Sequence, residues 1–159
     1  MLVLKISSFA LASRLANLAA SRFRYATCDM GVTPMRHFPL FLNLDGRRVV
    51  IAGGSEAAAA KWRLVARSGA RIAVVAPSLE GDFAALIAGH PNSQHIARAL
   101  LPDDLADAAL VYVATGERET DAQVAAAARA AGVPVNVVDR TELCDFITPA
   151  IVDRAPITV

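Results

Sequence analysis

The chain has few cysteines, few aromatic side chains and almost no excess charge. Its two cysteines, Cys28 and Cys144, are far apart and form no C-x-x-C motif, which leaves no basis for a disulfide framework or a cysteine-based zinc site. We therefore expect no bound metal and a reducing, cytoplasmic location. The net charge is only +1, so no charge pattern indicates nucleic acid or a membrane surface as a partner.

The chain also lacks a run of the roughly 18 apolar residues that a membrane span requires. Hydrophobic residues make up 55% of the 159 residues but aromatic residues only 6%, so the excess consists of alanine and valine. That composition is typical of short helices packed on a buried parallel sheet. It predicts a single α/β domain. The near-zero net charge makes a small molecule the expected partner.

Residues 1–34 differ from the rest, because Asp29 is their only acidic residue. The segment is either an organelle-targeting peptide or the product of a start codon placed too early, since Met30 and Met35 both precede the patterned sequence. The second interpretation is favoured. We expect residues 1–34 to be a disordered or wrongly assigned extension and residues 35–159 to be the folded domain.

Apolar runs alternate with helical patterns from residue 38 onward. This alternation predicts a doubly wound parallel sheet of about five strands in a three-layer α/β fold. The expected strands are 48–52, 71–76, 94–97, 109–114 and 135–138, the expected helices are about 56–68, 80–88 and 119–131, and residues 146–159 are expected to form extended pieces joined by turns.

The first strand ends at Gly53 and Gly54 and is followed at once by an alanine-rich helix. A turn of this kind presents unpaired N–H groups and a positive helix end to a nucleotide pyrophosphate. The usual G-x-G-x-x-G/A fingerprint is not matched, because Ser55, Glu56 and Ala57 follow the two glycines directly. The alternative is a turn that merely links strand to helix.

In a sheet of this type ligands bind beyond the carboxyl ends of the strands. The positions there include Pro77 and Ser78 after the second strand and Thr115 after the fourth. No acidic residue ends the second strand to bind a ribose, so chemistry alone does not select the cofactor.

Asp139 directly follows the apolar fifth strand, and burial there would suit it to proton transfer. The alternative of equal weight is an aspartate that caps a turn with Arg140 and Thr141.

Several segments, in order along residues 38–159, resemble the N-terminal module of siroheme synthase, a precorrin-2 dehydrogenase and sirohydrochlorin ferrochelatase. The resemblance implies a Rossmann-like domain that binds NAD and oxidises the tetrapyrrole precorrin-2 to sirohydrochlorin, into which ferrous iron is then inserted. It also implies a homodimer. The segments are Phe38 to Leu44, Val49 to Lys61, Ser68 to Arg71, Val111 to Thr115, Val135 to Asp139 and Phe146 to Arg154.

The resemblance also implies residue roles. Asp139 matches the family's proposed general base, and Glu56 and Ala57, with Pro77 and Ser78, match its NAD-contacting positions. Charge complementarity suggests that Arg140 and Arg154 pair with the carboxylates of the tetrapyrrole substrate.

Two departures from the family remain. Ser55 replaces the third glycine of the family's turn, where it would either crowd the pyrophosphate or donate a hydrogen bond to it. The family also continues beyond the point matching Val159 into its dimerisation and chelatase part, so we expect NAD binding to persist without chelation unless that part is supplied. The alternative function is a non-catalytic NAD-binding or regulatory module.

Overall fold

The computed structural model describes residues 37–149 and the backbone of residues 153–154 and 157–158. The chain divides into two units, residues 1–38 and 39–159, and nearly all described residues belong to the second. The extension expected at residues 1–34 lies outside the described residues, so its nature stays a prediction.

Five parallel strands form the central sheet: β1 (Arg48–Ala52), β2 (Arg71–Val75), β3 (Ser93–Ile96), β4 (Ala108–Val113) and β5 (Val135–Val137). Their order across the sheet is β3-β2-β1-β4-β5. The chain builds outward from β1 through β2 to β3 and then returns to place β4 on the other side of β1. This reversal between β1 and β4 confirms the doubly wound topology.

Three helices connect the strands: α1 (Glu56–Val65), α2 (Phe83–Ala88) and α3 (Arg118–Ala130). Helix α1 continues into a 3₁₀ turn that ends at Gly69, which has a φ of 72° and so provides the expected C-cap. Helix α2 begins three residues later than predicted, because a turn containing Gly81 at φ 57° precedes it.

The sheet is buried on both faces, which explains the near-continuous apolar runs of its strands. Along β1, Val49 and Ile51 belong to the cluster under α1 and α2, whereas Val50 and Ala52 belong to the cluster under α3. Two cores therefore lie on opposite sides of one sheet. The predicted three-layer α/β fold is confirmed.

Trp62 anchors the core on the α1 side. Its side chain is 6% exposed, packs edge-on against Phe83 and His90, and donates a hydrogen bond from Nε1 to Oγ of Ser93 at 3.0 Å. This bond satisfies the one polar group that the indole buries and ties α1 to β3.

The segment after β5 returns along the sheet. Phe146 packs edge-on against Tyr112 of β4, and its carbonyl accepts a hydrogen bond from the Asn136 side chain at 2.8 Å. Burial raises the pKa of Tyr112, whose hydroxyl is 3.0 Å from that of Thr148. Farther on, β6 (Asp153–Arg154) and β7 (Ile157–Thr158) pair as antiparallel strands, in keeping with the expected extended pieces.

Candidate nucleotide-binding cleft

A cleft of about 680 Å³ opens at the carboxyl edge of the sheet. It lies at the topological switch point between β1 and β4, where doubly wound proteins bind their ligands. Its walls come from the ends of three strands, from the chain after β3 and from one side of α3. They comprise residues 52–55, 75–78, 80, 99, 100, 102, 115, 117, 120, 123, 124 and 127.

The two glycines after β1 are required by their neighbours. Gly53 has a φ of 128°, donates from its N–H to the carbonyl of Val75 at 3.0 Å, and a Cβ there would collide with the carbonyl oxygen of Ala114. A Cβ on Gly54 would collide with the carbonyl oxygen of Ser78. The turn therefore passes between the ends of β2 and β4 with no room for a side chain, whether or not a cofactor is bound.

Ser55 begins α1 as its N-cap and lines the cleft. Its φ of −79° is ordinary for any residue, so the serine causes no backbone strain here. Its hydroxyl donates to the carbonyl of Ala114 at 3.4 Å. Next to it, the first turn of α1 presents N–H groups that have no acceptor within the helix, as an anion site requires.

Glu56 and Ala57 lie in that first turn, but both are exposed and their side chains are not part of the cleft wall. The carboxylate of Glu56 points along the helix to Arg63 at 2.5 Å, and this hydrogen bond lowers the pKa of Glu56. Only the main-chain N–H groups of these two residues remain suited to contact a phosphate.

Pro77, Ser78 and Thr115 all line the cleft, so three positions selected from the sequence lie together with the glycine turn. Among the lining residues that the structure describes, the charged ones are Glu80 and Glu117, both acidic.

Asp139 differs from its expected environment. It is exposed, has a φ of 60°, and lies outside the cleft wall, so the expected burial is wrong. The reason is the strand order, which makes β5 an edge strand. Asp139 nevertheless shares an edge with the cleft, since Val113 pairs with Val137 in register, and Thr115 and Asp139 each lie two residues beyond that pair.

Sequence reasoning missed Asp121, a buried aspartate in the first turn of α3. It accepts hydrogen bonds from Thr115 and from Arg140, whose guanidinium is 2.6 Å away. The only local signal was an acidic residue early in a helix, which is common at exposed positions too. Arg140, expected to meet substrate, is thus bound to a carboxylate of its own chain, and the side chain of Arg154 lies outside the described residues.

Within the described part of the chain, no group of three or more histidine, cysteine, aspartate or glutamate side chains is arranged to hold a metal ion. No helix there is long and apolar enough to cross a membrane.

The fold and the cleft define a dinucleotide-binding α/β protein. Residues 40–150 match the sequence model of a family described as "Putative NAD(P)-binding", and the chain belongs to that family.

The relatives agree with the resemblance noted in the sequence, which is confirmed. The chain is 46% identical over 125 residues to a siroheme synthase of Nitrosomonas eutropha and 45% identical over 126 residues to siroheme synthase 2 of Halorhodospira halophila. Each match covers 79% of this chain and 26% of the relative, so the chain spans about a quarter of the length of these relatives.

A solved structure shares the fold. It is named SirC, precorrin-2 dehydrogenase, and superposes with a TM-score of 0.62 at 21% identity, covering 77% of this chain and 60% of that one. At this identity the likeness establishes the architecture alone.

Proposed function

We propose that the chain binds NAD in the cleft and oxidises precorrin-2 to sirohydrochlorin, a step of siroheme biosynthesis. The observation that carries the proposal is the shared edge of the cleft and Asp139, two residues beyond the Val113–Val137 pair. The relatives named siroheme synthase and the fold shared with a precorrin-2 dehydrogenase support it.

The cleft offers a dinucleotide both hydrogen-bond donors and an apolar wall. The glycine turn and the N-terminus of α1 offer main-chain N–H groups to a pyrophosphate, and Val124 and Ala127 of α3 offer an apolar wall. Pro77 and Ser78 end β2 without the carboxylate that commonly binds the ribose, which leaves main-chain groups and the Ser78 hydroxyl for that role.

The charge of the cleft favours NAD over NADP. The 2′-phosphate of NADP is usually met by an arginine near the end of β2. Here the charged lining residue that follows β2 is Glu80, and no lysine or arginine stands among the described lining residues. A 2′-phosphate would therefore face negative charge without a compensating cation.

Oxidation of precorrin-2 removes a hydride and a proton from the tetrapyrrole. NAD bound in the cleft would supply the hydride acceptor. Asp139 is the proposed base, and its exposed carboxylate would take the proton and release it to solvent. Insertion of ferrous iron into the product, which the resemblance also implies, and pairing of the chain with a second copy remain predictions.

The decisive experiment replaces Asp139 with asparagine. Asparagine tolerates the left-handed backbone at φ 60° and keeps the side-chain size, so only the proton acceptor is lost. We expect kcat for sirohydrochlorin formation, followed without oxygen, to fall at least about a hundredfold. The dissociation constant of NAD from calorimetry should change by less than about twofold.

Asp107 provides a matched control, because it too is exposed and left-handed, with a φ of 58°. It precedes the amino end of β4 and so lies at the edge of the sheet opposite to the cleft. Asp107→Asn should leave kcat unchanged. Unimpaired oxidation by Asp139→Asn would remove Asp139 as the base. A wild-type chain that binds NAD but never oxidises precorrin-2 would instead favour the non-catalytic binding module.

A further inference from the structure

We propose that Asp121 is a positioning residue that holds the loop after β4 and the loop after β5 in one fixed arrangement. The inference rests on the proposed function, because the first loop lines the cleft and the second carries Asp139. Asp121 would thereby align the proposed base with the cofactor cleft.

The two carboxylate oxygens of Asp121 accept hydrogen bonds from different loops. Oδ1 accepts hydrogen bonds from the N–H of Thr115 at 3.2 Å and from its hydroxyl at 2.5 Å. Oδ2 accepts from the guanidinium of Arg140 at 2.6 Å. The Asp121 side chain is 3% exposed, so the carboxylate has little contact with water and depends on these donors.

The bond to Arg140 restrains the neighbouring Asp139 as well. On its other side Asp139 follows Val138, whose N–H donates to the carbonyl of Val113 in β4 at 2.9 Å. Asp139 is thus flanked by two anchored residues while its own backbone adopts a left-handed conformation. The main chain of Arg140 keeps a hydrogen bond of its own, from its N–H to the carbonyl of Val137 at 3.3 Å. Releasing the guanidinium would therefore loosen this anchor without removing it, and would allow the Asp139 backbone to relax in part.

A second ion pair on the same helix provides an internal comparison. Arg129, in the last turn of α3, donates to Asp145 at 2.9 Å, and Asp145 also accepts from the N–H of Val135 at the beginning of β5. This pair also ties α3 to the chain after β5, but it contacts neither Thr115 nor the residues next to Asp139. A variant that lacks this pair therefore shows how loss of stability alone affects activity, without a change in the contacts that align the site.

The experiment compares Asp121→Asn, Arg140→Gln, the double variant and Arg129→Gln. Asparagine keeps an acceptor for Thr115 but loses the charge that binds Arg140. We expect Asp121→Asn and Arg140→Gln each to lower kcat for precorrin-2 oxidation at least about tenfold, with the KM for NAD changed less than about threefold. The double variant should be no slower than the slower single variant, because both remove the same interaction.

Two results would overturn the proposal. Additive losses in the double variant, with Arg140→Gln acting mainly on the KM for precorrin-2, would mean that Arg140 binds substrate directly. A kcat loss in Arg129→Gln equal to that in Arg140→Gln would mean that both pairs only stabilise the fold.

A measurement without substrate or cofactor distinguishes this proposal from the proposed function. Loss of the Arg140 bond should leave the Asp121 carboxylate more mobile and so weaken its bond to the N–H of Thr115. We therefore expect the amide hydrogen of Thr115 to exchange at least about tenfold faster in Arg140→Gln than in Arg129→Gln. Equal exchange in the two variants would refute the coupling. Faster exchange in a protein that does not oxidise precorrin-2 would preserve the coupling and reject only the enzymatic function.

Discussion

The hydroxyl of Ser55 and the carbonyl oxygen of Ala114 lie 3.4 Å apart, which joins the turn after β1 to the residue that follows β4. In this arrangement the hydroxyl directs its proton to a main-chain acceptor of its own chain. A phosphate in the cleft would face the oxygen of that hydroxyl unless the side chain rotated.

This contact predicts a small effect of Ser55→Ala. The bond is long, and Ser55 makes no side-chain capping bond to α1, so little is lost with the hydroxyl. We expect the calorimetric dissociation constant of NAD to change by less than about threefold, and the same for Ser55→Gly. Binding that is tenfold weaker in both variants would instead identify the hydroxyl as a phosphate ligand.

Gly53→Ala should severely destabilise the fold. The new Cβ would collide with the backbone of Ala114, which is fixed in the sheet, and alanine disfavours a φ of 128°. We expect an unfolding free energy lower by about 3 kcal/mol or more in urea titrations. Gly132→Ala is the control, because Gly132 also has a positive φ, 71°, but open space around it, so its cost should be only about 1 kcal/mol. Equal costs would refute the steric explanation.

Glu80→Gln should shift the cofactor preference towards NADP. The substitution removes one of the two negative charges of the described cleft wall. We expect the ratio of NADP to NAD affinity to rise about threefold, measured by calorimetry at low salt. Asp82→Asn tests for a general charge effect, since Asp82 lies 3.9 Å from Arg63 and outside the cleft wall. A similar shift in both variants would contradict a local role for Glu80.

The Arg98–Asp104 pair predicts that stability declines in acid. Hydrogen bonds from Arg98, and one from the N–H of Leu101, lower the pKa of the buried Asp104 carboxyl below its ordinary value of 3.8. The ionised carboxylate therefore stabilises the fold above about pH 4, and this contribution is lost as the pH falls through the lower folded-state pKa.

The measurement compares wild type with Asp104→Asn in urea titrations. The difference in unfolding free energy should be largest near neutral pH, about 1–3 kcal/mol, and shrink below about pH 4. Asp103→Asn, at the exposed neighbouring position, should change little at any pH. A constant difference down to about pH 3 would show that Asp104 does not carry the acid dependence.

The strands and the positions at their carboxyl ends could be predicted from the sequence because burial on both faces leaves a local signal. Runs such as Val49–Ile51 are apolar without alternation, and Gly53, Pro77 and Thr115 follow such runs directly. Chain order alone then brings those ends to one edge of a parallel sheet.

The environment of Asp139 depends on which strand lies at the edge, and strand order leaves no local mark in the sequence. The same is true of Asp121 and Arg140, which are 19 residues apart and meet only because α3 packs beside β4 and β5. Pairs of this kind are set by tertiary packing, so the residue pattern around either partner does not disclose the other.

The position of Trp62 makes the intrinsic fluorescence of the protein a measure of its folding. It is the only tryptophan in the chain, it lies on α1 with its indole bonded to Ser93 of β3, and it is not part of the cleft wall. Its fluorescence should therefore follow the integrity of the core on the α1 side. For each variant at the cleft, that emission verifies that the core on the α1 side is folded before the activity is interpreted.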